Sequence, residues 1–247
     1  MISDVLHIMS DEPRAVSACM RQRGAASWAA ATGHPMVRQI AAGTLPHATF
    51  RWYFQQNILY LGEYARSISL TISKAPDLAA ANVLTRFLHQ IVCTEIPANI
   101  DFCRRLGGSH TGAGDASRMH PVTYGYTRHL LSTCALEDCA AGLTALLPCQ
   151  WSYGELAAPL MAALPGDPIY ADWIAMFGNA AYGDLVAETT GLLDRLAGGP
   201  AETDPQAGQL DVGRLAVIFD RSTAYELQFW DMAYGVVAPA VPPWGKE

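Results

Sequence analysis

The chain has 247 residues, of which 51% are hydrophobic and only 16% are charged, and its formal net charge is −7. Ordinary soluble proteins carry roughly 25% charged residues, so the shortfall predicts a surface that is partly covered by further copies of the chain. No stretch approaches the ~18–20 apolar residues of a transmembrane helix, and the acidic balance argues against nucleic-acid binding. The composition therefore predicts a soluble homo-oligomer without a membrane or nucleic-acid partner.

The N-terminal segment predicts a cytoplasmic location. It has acids where a signal peptide needs lysines, and no apolar run of roughly 7–15 residues follows. Thiols stay reduced in that compartment. Six cysteines are spread along the chain without a C-x-x-C pair, at positions Cys19, Cys93, Cys103, Cys134, Cys139 and Cys149. We expect most of them to be small core residues rather than zinc ligands.

Glycine and proline residues divide the chain into long segments with helical periodicity. In chain order, the predicted helices span residues 46–74, 78–106, 123–139, 140–164, 168–196 and 210–237. Pro46 suits the first turn of its helix, and Pro97 is expected to kink the second helix. No run of alternating β-branched residues competes with this pattern. The predicted fold class is therefore all-α, one domain over residues 1–247 arranged as a compact multi-helix bundle, with residues 1–20 and 239–247 peripheral or irregular.

Cys149 follows Pro148 in the segment LLPCQWSYGE. Because proline cannot donate a backbone hydrogen bond, it starts or kinks a helix. A cysteine at such a place would feel the positive helix end, which lowers the pKa of the thiol. Tyr153 lies one turn further on the same face. The segment is compatible with a nucleophilic cysteine and also with a cysteine that packs in the core.

Glu226 lies among aromatic residues in the segment YELQFWD. Burial would raise the pKa of this carboxyl, which suits a general acid that works near neutral pH; a surface glutamate on an amphipathic helix is the alternative. A second aromatic segment, WYFQQNILYL, carries Gln56, Asn57 and Tyr60. Their polar groups suit the wall of a pocket for a flat heterocycle or a polar network between helices.

Taken in order, these segments resemble the thiaminase II (TenA) family. The matching motifs cover roughly residues 25–236 and comprise Trp28 with His34-Pro35, GTLP at 43–46, Phe50-Arg51, Tyr53, Gln56-Asn57, Tyr60-Leu61, Gly125-Tyr126-Thr127, Pro148-Cys149, Trp151, Tyr153-Gly154-Glu155, Tyr170, Trp173-Ile174 and Tyr225-Glu226 followed by FWDMA at 229–233. The resemblance implies a haem-oxygenase-like helical bundle that forms a homotetramer, with a homodimer as the other assembly. It implies no cofactor.

The resemblance also implies a hydrolase that acts on amino-pyrimidines, either thiamin itself or an aminomethyl precursor salvaged from degraded thiamin. Cys149 matches the nucleophile that adds to the pyrimidine ring, and Glu226 matches the acid that protonates a ring nitrogen and assists departure of the amine. Tyr60, Tyr126 and Tyr153 match tyrosines that line the pocket.

Two positions depart from the family pattern. Asn57 stands where an aspartate usually accepts hydrogen bonds from the amino group of the pyrimidine, and Phe177 stands where a tyrosine is usual. A hydrogen bond to a charged group is worth roughly 1.5–3 kcal/mol, so the loss of charge predicts weaker recognition of the pyrimidine. An asparagine has one donor end and one acceptor end, so it could also suit a ring that bears oxygen in place of nitrogen.

Three alternatives follow from these observations. The chain could be a hydrolase of the same fold for a different heterocycle, or a binding protein that retains the pocket without turnover. It could also bind haem through His34 or His47, or hold two iron ions. Di-iron bundles use Glu-x-x-His pairs, and the sequence contains no Glu-x-x-His.

Overall fold

The computed structural model describes residues 15–109, 118–198 and 212–235. These residues form eleven α-helices and no strand. The helices are α1 (Val16–Arg23), α2 (Ala25–Thr32), α3 (Pro35–Ala41), α4 (His47–Ile72), α5 (Leu78–His89), α6 (Ile96–Arg105), α7 (Pro121–Leu136), α8 (Cys139–Ala157), α9 (Pro168–Gly178), α10 (Ala180–Ala197) and α11 (Val212–Gly235). The predicted all-α class is confirmed, and none of the helices in these ranges is long and apolar enough to cross a membrane.

Two predicted helices are interrupted. The segment 78–106 divides into α5, a π-helical turn over Gln90–Glu95 and α6, with Pro97 in the first turn of α6. The missing N–H of proline leaves the preceding turn without its regular donor, so an altered helix is expected there. The continuous helix predicted over 168–196 was wrong, because Asn179 ends α9 and caps α10 by accepting a hydrogen bond from the backbone N–H of Tyr182 at 3.0 Å.

The ends of the chain are described only in part. Residues 16–20, which were predicted to be peripheral, are helical, and Met20 of α1 is buried against the core. The rest of the predicted N-terminal periphery before residue 15, and the predicted irregular tail 239–247, lie outside the described residues.

Four helices, α4, α7, α8 and α11, pack against one another in every pairwise combination. They also carry the residues singled out by the motifs: Asn57 and Tyr60 lie on α4, Tyr126 lies on α7, Cys149 lies on α8, and Glu226 lies on α11. The packing of these helices therefore brings the motifs, which are distant in the sequence, to one place in the core.

Trp28 of α2 holds two of these helices together. Its side chain is 1% exposed, and its ring centroid lies 5.3 Å from that of Trp151 on α8 and 5.7 Å from that of Phe219 on α11. The guanidinium of Arg21 covers one side of the ring at 4.5 Å. Trp28 thus contacts both the helix that carries Cys149 and the helix that carries Glu226.

Replacing Trp28 tests this role. We expect Trp28→Ala to lower the free energy of unfolding by about 3–5 kcal/mol, because it removes a buried aromatic side chain and leaves a cavity. The measurement is urea unfolding followed by circular dichroism. The control is Leu136→Ala, at a residue that is 83% exposed, with an expected change within about 0.5 kcal/mol. A loss below about 1 kcal/mol for Trp28→Ala would contradict the proposed contact between the helices.

Candidate active site

A small cavity lies where the four helices meet. Its enclosed volume is about 10 Å³, room for about one water molecule, and its walls are formed by Asn57, Tyr60, Tyr126, Cys149, Tyr153, Glu226 and Phe229. This volume is below the roughly 300–1,000 Å³ of pockets that hold drug-sized ligands. Six of the seven residues predicted for the site line this cavity.

Glu226 is buried in the cavity wall, with 4% of its surface exposed. The hydroxyl of Tyr126 donates a hydrogen bond to its Oε1 atom at 2.7 Å. Burial raises the pKa of Glu226 to about 7, although the hydrogen bond from Tyr126 opposes the shift. The carboxyl can therefore hold or release a proton near neutral pH, as its aromatic surroundings in the sequence predicted.

Cys149 lies inside α8 rather than at a helix end, since α8 begins at Cys139 and continues through Pro148. Burial raises the pKa of its thiol well above the ordinary value, and the negative charge of Glu226 raises it further. The predicted lowering of this pKa was wrong, because the thiol is buried and lies near a carboxyl rather than at the positive end of a helix. In the free protein the thiol is protonated at neutral pH.

An aromatic layer supports the cavity. The hydroxyl groups of Tyr53 and Tyr153 are hydrogen-bonded at 2.8 Å. Both rings stack on Trp230, with centroid distances of 5.4 Å for each. These contacts restrict the rotamer of Tyr153, so its ring is held in place before a ligand arrives.

Phe177 lies behind this layer. Its ring packs edge-on against Tyr153 at a centroid distance of 4.8 Å and against Trp173 at 5.3 Å, and it is absent from the described cavity wall. Phe177 therefore contacts Tyr153 without lining the cavity, and its direct contact with a ligand stays a prediction.

The polar residues of α4 divide between two roles. The side-chain oxygen of Gln56 accepts hydrogen bonds from the backbone N–H of His120 and the hydroxyl of Thr123, both at 2.8 Å, so it ties α4 to α7. The hydroxyl of Tyr60 is buried without a hydrogen bond of normal geometry among the described residues, and it lies close to the thiol of Cys149 and the hydroxyl of Tyr126. Since Tyr60 lines the cavity, its hydroxyl is placed to contact a ligand.

Three residues near the site were not predicted from the sequence. Phe229 lies on the cavity wall one turn after Glu226, and its spacing of three residues could have indicated this. Asn99 of α6 is fully buried and hydrogen-bonded to Asn57 at 2.9 Å. Glu95 is 5% exposed, and burial raises its pKa to about 8. Two polar residues four positions apart on an otherwise apolar helical face were the available signal for Glu95 and Asn99.

The two histidines considered as haem ligands make polar contacts elsewhere. His34 caps α3 by accepting a hydrogen bond from the backbone N–H of Met36 at 3.1 Å, and its other ring nitrogen lies 3.2 Å from Asp231. His47 lies 2.8 Å from Asp167. In the described ranges no group of three or more histidine, cysteine or acidic side chains is placed to hold a metal ion.

The haem-oxygenase-like architecture is confirmed by comparison with solved structures. A TenA homologue from P. horikoshii OT3 superposes with a TM-score of 0.77 at 27% identity, covering 90% of this chain and 99% of that chain. A domain from Shewanella denitrificans that is described as having a heme oxygenase-like fold superposes with a TM-score of 0.67 at 14% identity, covering 88% of this chain and 91% of that chain.

The sequence comparisons agree with this result. The chain is 31% identical over 214 residues to the aminopyrimidine aminohydrolase of Bacillus subtilis. The aligned region covers 87% of each chain. The model of the TENA/THI-4/PQQC family matches residues 21–236, which include the whole cavity wall. The chain therefore belongs to the TENA/THI-4/PQQC family.

Proposed function

We propose that the protein is an aminopyrimidine aminohydrolase in which Cys149 is the nucleophile and Glu226 is the general acid. The observation that carries this proposal is the juxtaposition of a thiol and a carboxyl with a pKa of about 7 in one buried cavity. The name of the Bacillus subtilis relative supports the same activity.

The two groups together can supply both halves of an addition to an electron-poor ring. As the sulfur of Cys149 forms a bond to a ring carbon, the carboxyl of Glu226 gives its proton to a ring nitrogen. The resulting carboxylate takes the thiol proton, so the net change is the transfer of one proton from sulfur to nitrogen. The regenerated acid then protonates the amine, which leaves as ammonia when its C–N bond breaks. Water gives hydroxide to the exocyclic carbon and its proton to the Glu226 carboxylate. The C–S bond then breaks, and the proton on the ring nitrogen returns to the sulfur, so that the thiol and the acid are both restored.

The raised thiol pKa fits this sequence of steps. A thiol that ionises only when its proton can pass to Glu226 is unreactive in the empty site. Attack is therefore coupled to the presence of a ring that has accepted a proton from Glu226, which favours turnover of the bound substrate over unspecific alkylation.

The size of the cavity favours a single substituted ring as the substrate. Thiamin has two rings, whereas the cavity encloses only about 10 Å³, so a single ring requires the smaller displacement of the wall side chains. We therefore propose the aminomethyl-pyrimidine from degraded thiamin as the better substrate, with Tyr60, Tyr126 and Tyr153 in contact with the ring. A different heterocycle is the alternative substrate, because Asn57 stands where the family usually has an aspartate.

We further propose that the protein acts in the cytoplasm as a homo-oligomer, a homotetramer or a homodimer. The support is the low charged fraction of 16% together with large apolar side chains on the surface, such as Leu78 and Leu136, which are 89% and 83% exposed.

Cys149→Ser tests the nucleophile. We expect hydrolysis of aminomethyl-pyrimidine to fall on the order of 10³-fold or more, because a serine hydroxyl is a much weaker nucleophile at neutral pH. Substrate binding, measured by calorimetry, should change little. The matched control is Cys134→Ser, since Cys134 is a buried cysteine outside the cavity, and it should keep wild-type turnover. Wild-type turnover by Cys149→Ser would exclude the proposed nucleophile, and wild-type protein that binds the compound without hydrolysing it would support a binding protein instead.

The pH dependence of kcat/KM tests the acid. Glu226 donates a proton only below its pKa of about 7, so kcat/KM should decrease as the pH rises through about 7. Glu226→Gln should lower kcat/KM by roughly 10²–10⁴-fold and remove this decrease. Glu95→Gln is the control, because Glu95 is also a buried carboxyl with a raised pKa but does not line the cavity. A decrease near pH 7 that persists in Glu226→Gln would assign the acid to another group.

A further inference from the structure

The side-chain amide of Asn57 presents two chemically different ends, an oxygen that accepts hydrogen bonds and a nitrogen that donates them. The end that faces the cavity determines whether the site favours an amino group or a carbonyl on the ligand. The two ends have the same shape, so their assignment depends on the hydrogen-bond network around them.

A chain of two hydrogen bonds determines this assignment. It starts at the backbone carbonyl of Glu95, which can only accept, and the Asn99 side-chain atom 2.8 Å from it must therefore be the amide nitrogen. The oxygen of Asn99 is then the atom that contacts Asn57. It lies 2.9 Å from the Nδ2 atom of Asn57, which donates to it.

The oxygen of Asn57 is left without a hydrogen-bond partner among the described residues, while Asn57 itself lines the cavity. One of the two N–H groups of Asn57 is thus engaged by Asn99, and the oxygen is the end of the amide with no partner in the described protein and is available to a ligand. An exocyclic amino group can donate to it, whereas a ring carbonyl at the same place would set two oxygens against each other.

The local structure fixes the donor and acceptor ends of both asparagine side chains. Glu95 ends the π-helical turn, and Asn99 lies one turn later in α6, from where its side chain reaches back to a carbonyl four residues earlier. Asn99 is 0% exposed and Asn57 is 6% exposed, so water does not compete for these groups. Reversing the amide of Asn57 would require Asn99 to reverse as well, and its oxygen would then face the carbonyl of Glu95.

We propose that Asn99 is a positioning residue that sets the specificity of the site, by holding Asn57 with its oxygen towards the ligand so that a pyrimidine with an amino group is preferred over one with a carbonyl at that position. The proposal rests on the proposed function and makes it more specific. In this proposal the neutral Asn57 accepts the hydrogen bond that a charged aspartate would otherwise accept. A substrate that bears oxygen at that position is therefore disfavoured.

A matched pair of substitutions at Asn99 tests this role. Asn99→Val removes the acceptor for Asn57. Asn99→Thr introduces a side chain of nearly the same shape as valine, but its hydroxyl can donate to the Glu95 carbonyl and accept from Asn57. Two compounds are compared: a 5-aminomethyl-pyrimidine that carries the 4-amino group of thiamin (the amino compound) and its 4-oxo counterpart. The readout is kcat/KM for the amino compound divided by kcat/KM for the 4-oxo compound. Circular dichroism and the Tm verify that each variant is folded.

We expect the wild-type ratio to favour the amino compound by at least about tenfold. Asn99→Val should reduce this ratio at least about fivefold, mainly through a higher KM for the amino compound, and Asn99→Thr should stay within about threefold of the wild type. A folded Asn99→Val with an unchanged ratio would overturn the proposal. A wild-type preference for the 4-oxo compound would overturn it even if Asn99→Val does not fold.

The outcomes separate this proposal from the proposed function. If the wild type hydrolyses the amino compound and the ratio does not respond to Asn99→Val, the activity stands and the positioning role fails. If the wild type hydrolyses neither compound but binds the amino compound more tightly in calorimetry, with a preference that Asn99→Val reduces, the hydrolase fails and the positioning role stands. Binding of neither compound would overturn both.

Discussion

The removal of Glu226 from water is the physical constraint on which the rest of the site depends. A carboxyl in water ionises near its ordinary pKa, but at 4% exposure its charged form loses hydration and its pKa rises to about 7. The same burial keeps the thiol of Cys149 protonated. Because neither group carries a full charge at rest, they do not destabilise the core as an unpaired ion would. In the proposed mechanism, each group becomes reactive only when a ligand can accept a proton.

The surrounding helices hold the thiol and the carboxyl in fixed positions. Tyr53, Tyr153 and Trp230 form a stacked and hydrogen-bonded layer on one side of the cavity, and Trp28 contacts α8 and α11 from outside it. All the described wall residues lie on helices rather than on loops. A site on packed helices holds its groups more precisely than a site on loops, which suits chemistry that depends on the spacing of a thiol and an acid.

Most of the helices and most of the cavity wall could be predicted from the sequence, because periodicity and motif order are local signals. The helix predicted over 46–74 corresponds to α4 (His47–Ile72), with a difference of two residues or fewer at each end. The raised pKa of Cys149 could not be predicted, because it depends on burial by the surrounding helices and on the carboxyl of Glu226, 77 residues further along the chain. The role of Asn99 could not be predicted either, since it depends on a contact with Asn57 of α4, 42 residues earlier in the chain.

The central claim is that Glu226 is a protonated acid just below neutral pH, and its carboxyl vibration reports this directly. Infrared spectra of the wild type minus those of Glu226→Gln isolate this group, since the contribution of Glu95 cancels in the difference. A titration between pH 5 and pH 9 should show the C=O band of a protonated carboxyl that disappears with a midpoint near pH 7, as the raised pKa of about 7 requires. A band that is already absent at pH 5.5 would mean that Glu226 is ionised in the folded protein, and it would contradict the account.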